Sequence, residues 1–210
     1  MAKAKNPKAP TELDKNYPLG IKSTVHGREK RGNHVYFFID PKGDDLKKGR
    51  TELVVLKRWR KKIKANHSFS GSTLNPKIWR SLSPVFGNDP NKWISLSVKE
   101  ITDYLQSARI KHLEATKFLP SASILAVIFK VCGAKNLEDL IERHTNPERA
   151  EIFGTPDLFL YSTNSKNKEI WAVFIEVKRK KEEFVKGQLE EIAYLQSLKL
   201  NAGVFRLNKD

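Results

Sequence analysis

Apolar and polar residues alternate most clearly in the last third of the chain, where they predict two strands, a helix and a further strand. In chain order, the first strand begins at Asp157 and the second covers 171–178. The helix extends from about Glu182 to Lys199, and the last strand covers 203–207. Side chains alternate across a strand, so Glu176 and Lys178 emerge from the same face of the second strand. The rest of that strand is apolar, which is typical of a buried position, so these two charges need partners there.

Three helices are predicted in the middle of the chain from apolar spacing and from the signals at their ends. They cover 97–118, 121–132 and 137–144. The first begins with a capping box, in which Ser97 and Glu100 can satisfy each other's backbone N–H groups. The second is almost wholly apolar, so it should be buried, and Gly133 is expected to end it.

The first 96 residues show the weakest periodicity. Residues 1–32 combine several Pro and Gly with many Lys, which predicts a flexible basic tail. A strand is predicted over 34–39 and a helix over 51–64, whereas 66–96 predicts an irregular connector. The helix carries Trp59 among many cations. Two interpretations of this tryptophan stay open: the helix can place it along the phosphate backbone of a nucleic acid, or it can pack into the protein interior.

The charge balance indicates an anionic partner. Lys and Arg number 39 against 24 Asp and Glu, which gives a formal net charge of +15. Nucleic acid is the first candidate, because cations placed on phosphates release condensed counterions. A membrane is not an expected partner, because the chain has no long apolar run and no basic helix with a wide apolar face. The cations predicted to contact DNA in helix 51–64 are Arg58, Arg60, Lys61 and Lys62.

Cysteine use indicates a reducing compartment. The chain has one cysteine, Cys132, which excludes an intrachain disulfide and a thiolate cluster within one chain. The N-terminal segment lacks the apolar core of a signal peptide. We therefore expect an intracellular protein, in the cytoplasm of a bacterial or phage-infected cell rather than in a nucleus.

The candidate chemistry centres on Asp157, Glu176 and Lys178. A hairpin between the two predicted strands would bring Asp157 and Glu176 together, although 19 residues separate them in the sequence. Neighbouring carboxylates repel each other unless a cation bridges them, and hard oxygen ligands favour Mg²⁺ or Mn²⁺. Such an ion can activate a water and polarise a phosphate, and an amine beside it can stabilise the developing charge.

Each part of this pattern has an ordinary alternative. Glu-x-Lys is common in proteins and often forms a surface ion pair on an edge strand, and Pro-Asp is a frequent turn signal. The combination of both motifs in a basic chain favours a nuclease. The five histidines are scattered without zinc-binding spacing, which disfavours a histidine-based nuclease.

At these residues the chain resembles the virus-type replication-repair nuclease (VRR-NUC) domain, a branch of the PD-(D/E)xK restriction-endonuclease-like superfamily. The resemblance covers 151–207 and rests on Gly154-Thr-Pro-Asp157-Leu, on Ile175-Glu176-Val-Lys178, and on Gln188 in the following helix. It implies an α/β fold with a core of mixed β-sheet flanked by helices, to which this chain adds a basic N-terminal extension. The Fanconi-associated nuclease and many short phage proteins carry this domain.

The resemblance also implies roles for individual residues. Asp157, Glu176 and Val177 would form the metal site, Lys178 would be the catalytic lysine, and Gln188 would face the site from its helix. The family has an acidic residue on an upstream helix, for which Glu114 is the first candidate. The alternatives to Glu114 are Glu142 and Glu148. The cations beside the site, expected to contact DNA, are Arg179, Lys180 and Lys181.

The predicted function is a Mg²⁺- or Mn²⁺-dependent DNA endonuclease, which the resemblance implies is often selective for branched or flapped DNA. Repair and phage or mobile-element biology are both compatible settings. Two alternatives stay open: a non-catalytic nucleic-acid-binding module with a nuclease fold, and an RNA-cleaving nuclease. A homodimer is compatible with paired cuts in two strands. The expected divisions are a tail over 1–32, a DNA-contacting accessory region over 33–96 and the nuclease domain over 97–210.

Overall fold

A six-stranded mixed sheet organises the protein in a computed structural model that describes residues 28–31, 34–39, 51–61, 67–146, 154–164, 170–185 and 187–208. The strands are β1 (Arg28–Arg31), β2 (His34–Ile39), β3 (His67–Thr73), β4 (Leu158–Asn164), β5 (Ile170–Lys178) and β6 (Ala202–Leu207). Their spatial order is β1-β2-β6-β5-β4-β3. The pairs β2–β6 and β6–β5 are parallel, and the other three are antiparallel.

Helices cover both faces of this sheet. They are α1 (Thr51–Arg60), α2 (Ile78–Phe86), α3 (Pro90–Trp93), α4 (Val98–Lys111), α5 (Leu113–Thr116), α6 (Ala122–Thr145) and α7 (Gln188–Ser197). On one face, α1 packs against Val173 and Ile175 of β5, whereas α2, α6 and α7 pack against Phe174 on the other. This partition follows the alternation along β5, and it confirms the predicted α/β fold of a mixed sheet flanked by helices.

From α1 onward, the chain forms α1, β3, β4, β5, α7 and β6 in that order, and one long helical insertion interrupts this series. The insertion comprises α2 to α6, residues 78–145, and lies between β3 and β4. Its buried aromatic residues and Leu125, Ile128 and Phe129 form the larger of the two hydrophobic clusters. β2 and β3 come from the predicted accessory region, and both join the sheet that contains β4, β5 and β6.

Helix α1 resolves the open question about Trp59. Its indole is 3% exposed and its Nε1 donates to the carbonyls of Ser70 and Tyr161, at 2.8 and 3.2 Å. The ring also packs against Phe69 and Trp171. Trp59 therefore joins the helix to the sheet, as the inward-packing interpretation requires.

The expectation of an irregular connector over 66–96 was wrong, because β3, α2 and α3 lie there. Strand β3 escaped the pattern analysis because it is a polar edge strand, whose order comes from pairing with β4. Helix α2 is short, but it buries Trp79 and Leu82 completely. Its order also depends on contacts from distant segments, which local periodicity does not report.

Several predicted boundaries also need correction. Arg28–Arg31 form a strand although the tail was expected to be flexible, and residues 1–27 lie outside the described residues. The helix predicted over 97–118 keeps its capping box but breaks at His112. Gly133 (φ 69°, ψ 167°) has a non-helical backbone and divides α6 into two helices, which confirms that it ends the apolar helix predicted over 121–132. The helix predicted over 51–64 corresponds to α1, and the helix predicted over 182–199 corresponds to α7. Both observed helices are shorter than predicted.

Where the structure describes the chain, none of its helices is both long enough and apolar enough to cross a lipid bilayer.

Gly71 allows β3 and β4 to approach each other closely. A Cβ at this position would lie 2.5 Å from the carbonyl oxygen of Phe159 and 2.9 Å from Cδ2 of Leu160. We therefore expect Gly71→Ala to lower the free energy of unfolding by about 1–3 kcal/mol, because the backbone must shift. For a protein of this size, each kcal/mol corresponds to roughly 2–4 °C in Tm. Thermal unfolding measures the effect beside Ser72→Ala, and equal Tm values for both variants would contradict it.

Candidate active site

Asp157 is held between two strands at the start of β4. Its carbonyl accepts a hydrogen bond from the backbone N–H of Leu74, and its Oδ2 accepts one from the N–H of Val177, both at 2.8 Å. The antiparallel pairing of Leu158 with Ile175 puts Asp157 opposite Glu176. The predicted hairpin therefore exists, and it brings together two acids that are distant in the sequence.

Glu176 and Lys178 lie on the predicted shared face of β5, at the end of that strand. Each is only 3% exposed. Lys178 Nζ lies 3.2 Å from Glu176 Oε1, which is close enough for an ion pair when Glu176 is ionised. The face they share continues through Phe174, which belongs to the larger hydrophobic cluster. Both charged side chains therefore lie next to the hydrophobic core at this end of the sheet.

Gln188 completes the hydrogen bonding of Glu176 from the first turn of α7. Its Nε2 donates to Glu176 Oε1 at 2.6 Å, and its Oε1 accepts from the N–H of Val185 at 2.8 Å. Gly154 lies against the same side chain, since a Cβ there would be 3.1 Å from Gln188 Cγ. The structure thus brings Gln188 to the acidic pair, as expected from its position ten residues after Lys178.

The two carboxyls are difficult to ionise together. Burial raises the pKa of Asp157 to about 6, opposed by the hydrogen bond from Val177 and by the charge of Lys178. Burial raises the pKa of Glu176 to about 8, and the nearby Asp157 carboxylate adds to the increase. Lys178 lowers both values without restoring them to normal. Further positive charge beside these two carboxyls would therefore lower their pKa values and favour their ionised forms.

Glu182 is a site residue that the sequence analysis missed. Lys178 Nζ donates to Glu182 Oε1 at 3.1 Å, and the N–H of Arg179 donates to its Oε2 at the same distance. Partial burial alone would raise the pKa of Glu182, but these hydrogen bonds and the positive charges of Lys178 and Arg179 lower it overall. Arg206 holds the surrounding turn by donating to three backbone carbonyls, those of Arg179, Lys180 and Glu182.

An acid that the sequence analysis did not consider, Glu52 in the first turn of α1, acts electrostatically on the site. The charge of Glu52 contributes to the raised pKa of Asp157. Glu114 lies on α5, where it is exposed and pairs with Lys117, and α5 packs mainly on α4 and α2. Of the alternatives, Glu142 is exposed on α6, and Glu148 lies outside the described residues.

The lysines and arginines that were predicted to contact DNA have different surroundings. Arg179, Lys180 and Lys181 are exposed directly after Lys178. Arg60 donates to the carbonyl of Gly71 at 2.6 Å, which makes it a link between α1 and β3 as well as an exposed cation. The remaining cations of that group are Arg58, which is half-buried, Lys61, which is exposed, and Lys62, which lies outside the described residues.

The donor set suits a hard divalent cation. Asp157 Oδ1 and Glu176 Oε2 accept no hydrogen bond from the residues that the structure describes, so each carboxylate keeps one oxygen for a ligand. Val177 directs its side chain into the smaller hydrophobic cluster, so only its backbone faces this centre. No group of three or more His, Cys, Asp or Glu side chains is positioned for a metal within the described ranges. Two carboxylates nevertheless match Mg²⁺, which usually binds one or two of them and keeps several waters.

No protein-family model matches the chain, and no curated protein matches it. Solved structures do share its fold. A structure of paFAN1 bound to DNA with a 2-nucleotide 5′ flap and a gap matches with a TM-score of 0.53 at 12% identity, over 88% of this chain. A second, with a 1-nucleotide 5′ flap, matches with a TM-score of 0.52 at the same identity and coverage. This chain covers 39% of the length of either paFAN1 chain, so the likeness establishes the fold alone.

The raised pKa values of Asp157 and Glu176 predict a pH-dependent cost to stability. Because the folded protein binds these protons more tightly than the unfolded chain, the free energy of unfolding should fall as pH rises from about 4.5 to about 8 at Glu176. We expect Glu176→Gln to raise the Tm above that of the wild type at pH 8 in EDTA, and the advantage to shrink at pH 5. Calorimetric melting beside the exposed-site control Glu183→Gln measures this. A Glu176→Gln protein less stable than wild type at pH 8 would show that the carboxylate stabilises the fold.

Proposed function

We propose that the protein is a divalent-metal-dependent DNA endonuclease of the VRR-NUC branch of the PD-(D/E)xK superfamily. One observation carries the proposal: Asp157, Glu176 and Lys178 meet at one end of the sheet, where a half-buried carboxyl and a buried carboxyl lie beside each other and beside an ammonium group. Buried charges are costly, so an arrangement with two acids and one base is expected only where a further cation binds.

Asp157 and Glu176 would hold Mg²⁺ or Mn²⁺ through the oxygens that accept no hydrogen bond from the described residues. The backbone of Val177, whose N–H donates to Asp157, would border the same ion. The ion would supply Lewis acidity at the scissile phosphate and a more acidic bound water. Glu52 lies close enough to influence Asp157 electrostatically, so it would take the part of the family's upstream acid.

Lys178 and Gln188 would act on the reacting groups from the same side of the sheet. Both donate to Glu176 Oε1, so both side chains are held within hydrogen-bonding reach of the carboxylate that would bind the metal. The Lys178 ammonium would stabilise negative charge that develops on the phosphate and would orient the attacking water. Glu182 also pairs with Lys178, which would keep the ammonium in place when Glu176 binds a cation.

DNA is the proposed substrate. The formal net charge of +15 supports a polyanionic partner. The shared fold adds support, because paFAN1 was crystallised with DNA carrying a 5′ flap and a gap. We therefore propose that branched or flapped DNA is cut in preference to intact duplex, in repair or in a phage or mobile element. The cations proposed to contact the substrate nearest the centre are Arg179, Lys180 and Lys181.

The catalytic assignment predicts loss of cleavage on single substitutions. We expect Asp157→Asn, Glu176→Gln and Lys178→Ala each to lower the rate of DNA cleavage by at least about 10²–10³-fold, as loss of one electrostatic contributor does in other enzymes. DNA binding should persist, since these side chains are not needed for contacts along the backbone. Cleavage of linear, supercoiled, flapped and four-way DNA in Mn²⁺, measured beside binding, tests this.

The same assay distinguishes the alternative functions. A binding module would bind DNA with no nicking in Mg²⁺ or Mn²⁺, and an RNA nuclease would cut labelled RNA while leaving the DNA panel intact. Lys199→Ala is a suitable control, because Lys199 is an exposed cation after α7 that makes none of the contacts at the acidic pair. Wild-type cleavage rates in all three active-site variants would refute the assignment.

Glu52 and Glu114 provide a matched pair for the upstream acid. We expect Glu52→Gln to reduce cleavage by about 10-fold or more and to increase the Mn²⁺ concentration needed for half-maximal rate, because its charge acts on Asp157. Glu114→Gln should keep wild-type cleavage, because Glu114 pairs with Lys117 at the surface. Rate measurements across a Mn²⁺ titration compare the two. The reverse ranking would restore Glu114 as the upstream acid.

A further inference from the structure

A second group of cations lies at the same end of the sheet as the acidic pair. Lys77 precedes α2 and Lys117 follows α5, and both are exposed. We call these two residues the insertion patch, since Lys77 precedes the helical insertion and Lys117 follows α5, the fourth helix of the insertion. Neither residue belongs to the cationic groups at Arg179–Lys181 or on α1.

Backbone contacts connect the insertion patch to the candidate active site. The N–H of Leu74 donates to the carbonyl of Asp157 at 2.8 Å, and Thr155 Oγ1 donates to the carbonyl of Pro76 at 3.2 Å. Lys77 is the next residue in the chain. These two contacts place the segment that carries Lys77 next to the start of β4, where Asp157 lies.

The order of the strands places cations on both sides of this centre. Because β4 is antiparallel to β3 and β5, the start of β4 and the ends of β3 and β5 lie at the same end of the sheet. At that end, the turn at Arg179–Lys181 follows β5, Asp157 precedes β4, and Lys77 lies shortly after β3. Neighbouring strands are about 4.8 Å apart, so β5 and β3 are separated by about 10 Å. A DNA strand carries one phosphate per roughly 3.4 Å of helix axis, so this span corresponds to about three nucleotides.

Contacts within the patch limit the motion of both lysines. Lys77 Nζ lies 4.7 Å from the centre of the Phe118 ring, in cation–π geometry. Lys117 pairs with Glu114 one turn earlier on α5. Both cations are thus partly ordered before any ligand binds, which reduces the entropy lost on binding phosphate.

We propose that the insertion patch binds phosphates of the substrate DNA strand on the β3 side of the scissile phosphate, while Arg179–Lys181 bind the β5 side. This inference rests on the proposed function and adds a path for the DNA across the end of the sheet. The helical insertion then contributes directly to substrate binding, in addition to covering one face of the sheet.

The experiment measures how salt affects DNA affinity in full-length Asp157→Asn protein without divalent metal, so that cleavage plays no part. The probe is a fluorescein-labelled duplex with a 5′ flap, and anisotropy gives the binding constant across a salt series. The test variant is Lys77→Ala with Lys117→Ala. The control is Lys130→Ala with Lys135→Ala, which removes the same charge from α6 and includes a lysine paired with an acid one turn away, Asp139.

Each phosphate contact contributes about 0.9 to the slope of log binding constant against log salt. We expect the test variant to lose about two from the magnitude of the slope, and the control to keep the parent slope. An unchanged slope in the test variant, an equal loss in the control, or no DNA binding by the parent would overturn the proposal. If the slope falls as expected but wild-type protein cuts no DNA in Mn²⁺, the catalytic assignment fails while the insertion patch stands.

Discussion

The close approach of two carboxyls at the end of a sheet, one buried and one half-buried, is the constraint on which the rest of the structure depends. The pairing of Leu158 with Ile175 forces Asp157 and Glu176 together, and burial raises the pKa of both. The N–H of Val177, the amide of Gln188 and the ammonium of Lys178 each offset part of the cost. Such a pair costs stability unless a further cation binds, and the proposed metal site would supply that cation.

The surrounding elements hold this arrangement in place from both faces. Helix α1 is fixed through Trp59, and its first turn carries Glu52 toward Asp157. On the opposite face, Glu191 of α7 is fully buried and accepts from Arg143 Nε at 2.9 Å, while its other oxygen shares a 2.7 Å hydrogen bond with His144 Nε2. This network ties α7 to the end of α6. Because Gln188 begins α7, the network also fixes the side chain that contacts Glu176.

Sequence reasoning could identify the centre of the site because its signals are local. Two-residue alternation put Glu176 and Lys178 on one face, and the short polar loop implied the hairpin that returns to Asp157. Glu52, Glu182 and the role of Arg206 could not be read in this way. Glu52 reaches the site only through the packing of α1, and Arg206 acts through carbonyls more than twenty residues away. Strand β3 was missed for the same reason, since its order comes from pairing across an insertion.

Calorimetric titration of the full-length protein with Mn²⁺, at pH 7 in two buffers of different ionisation enthalpy, tests the central claim most directly. If Asp157 and Glu176 form the metal site, Mn²⁺ will bind and release protons, because the raised pKa values leave Glu176 largely protonated beforehand. The heat will then depend on the buffer, and Glu176→Gln will abolish both binding and proton release. Absence of binding, or equal binding by Glu176→Gln, would contradict a metal centre at this pair of acids.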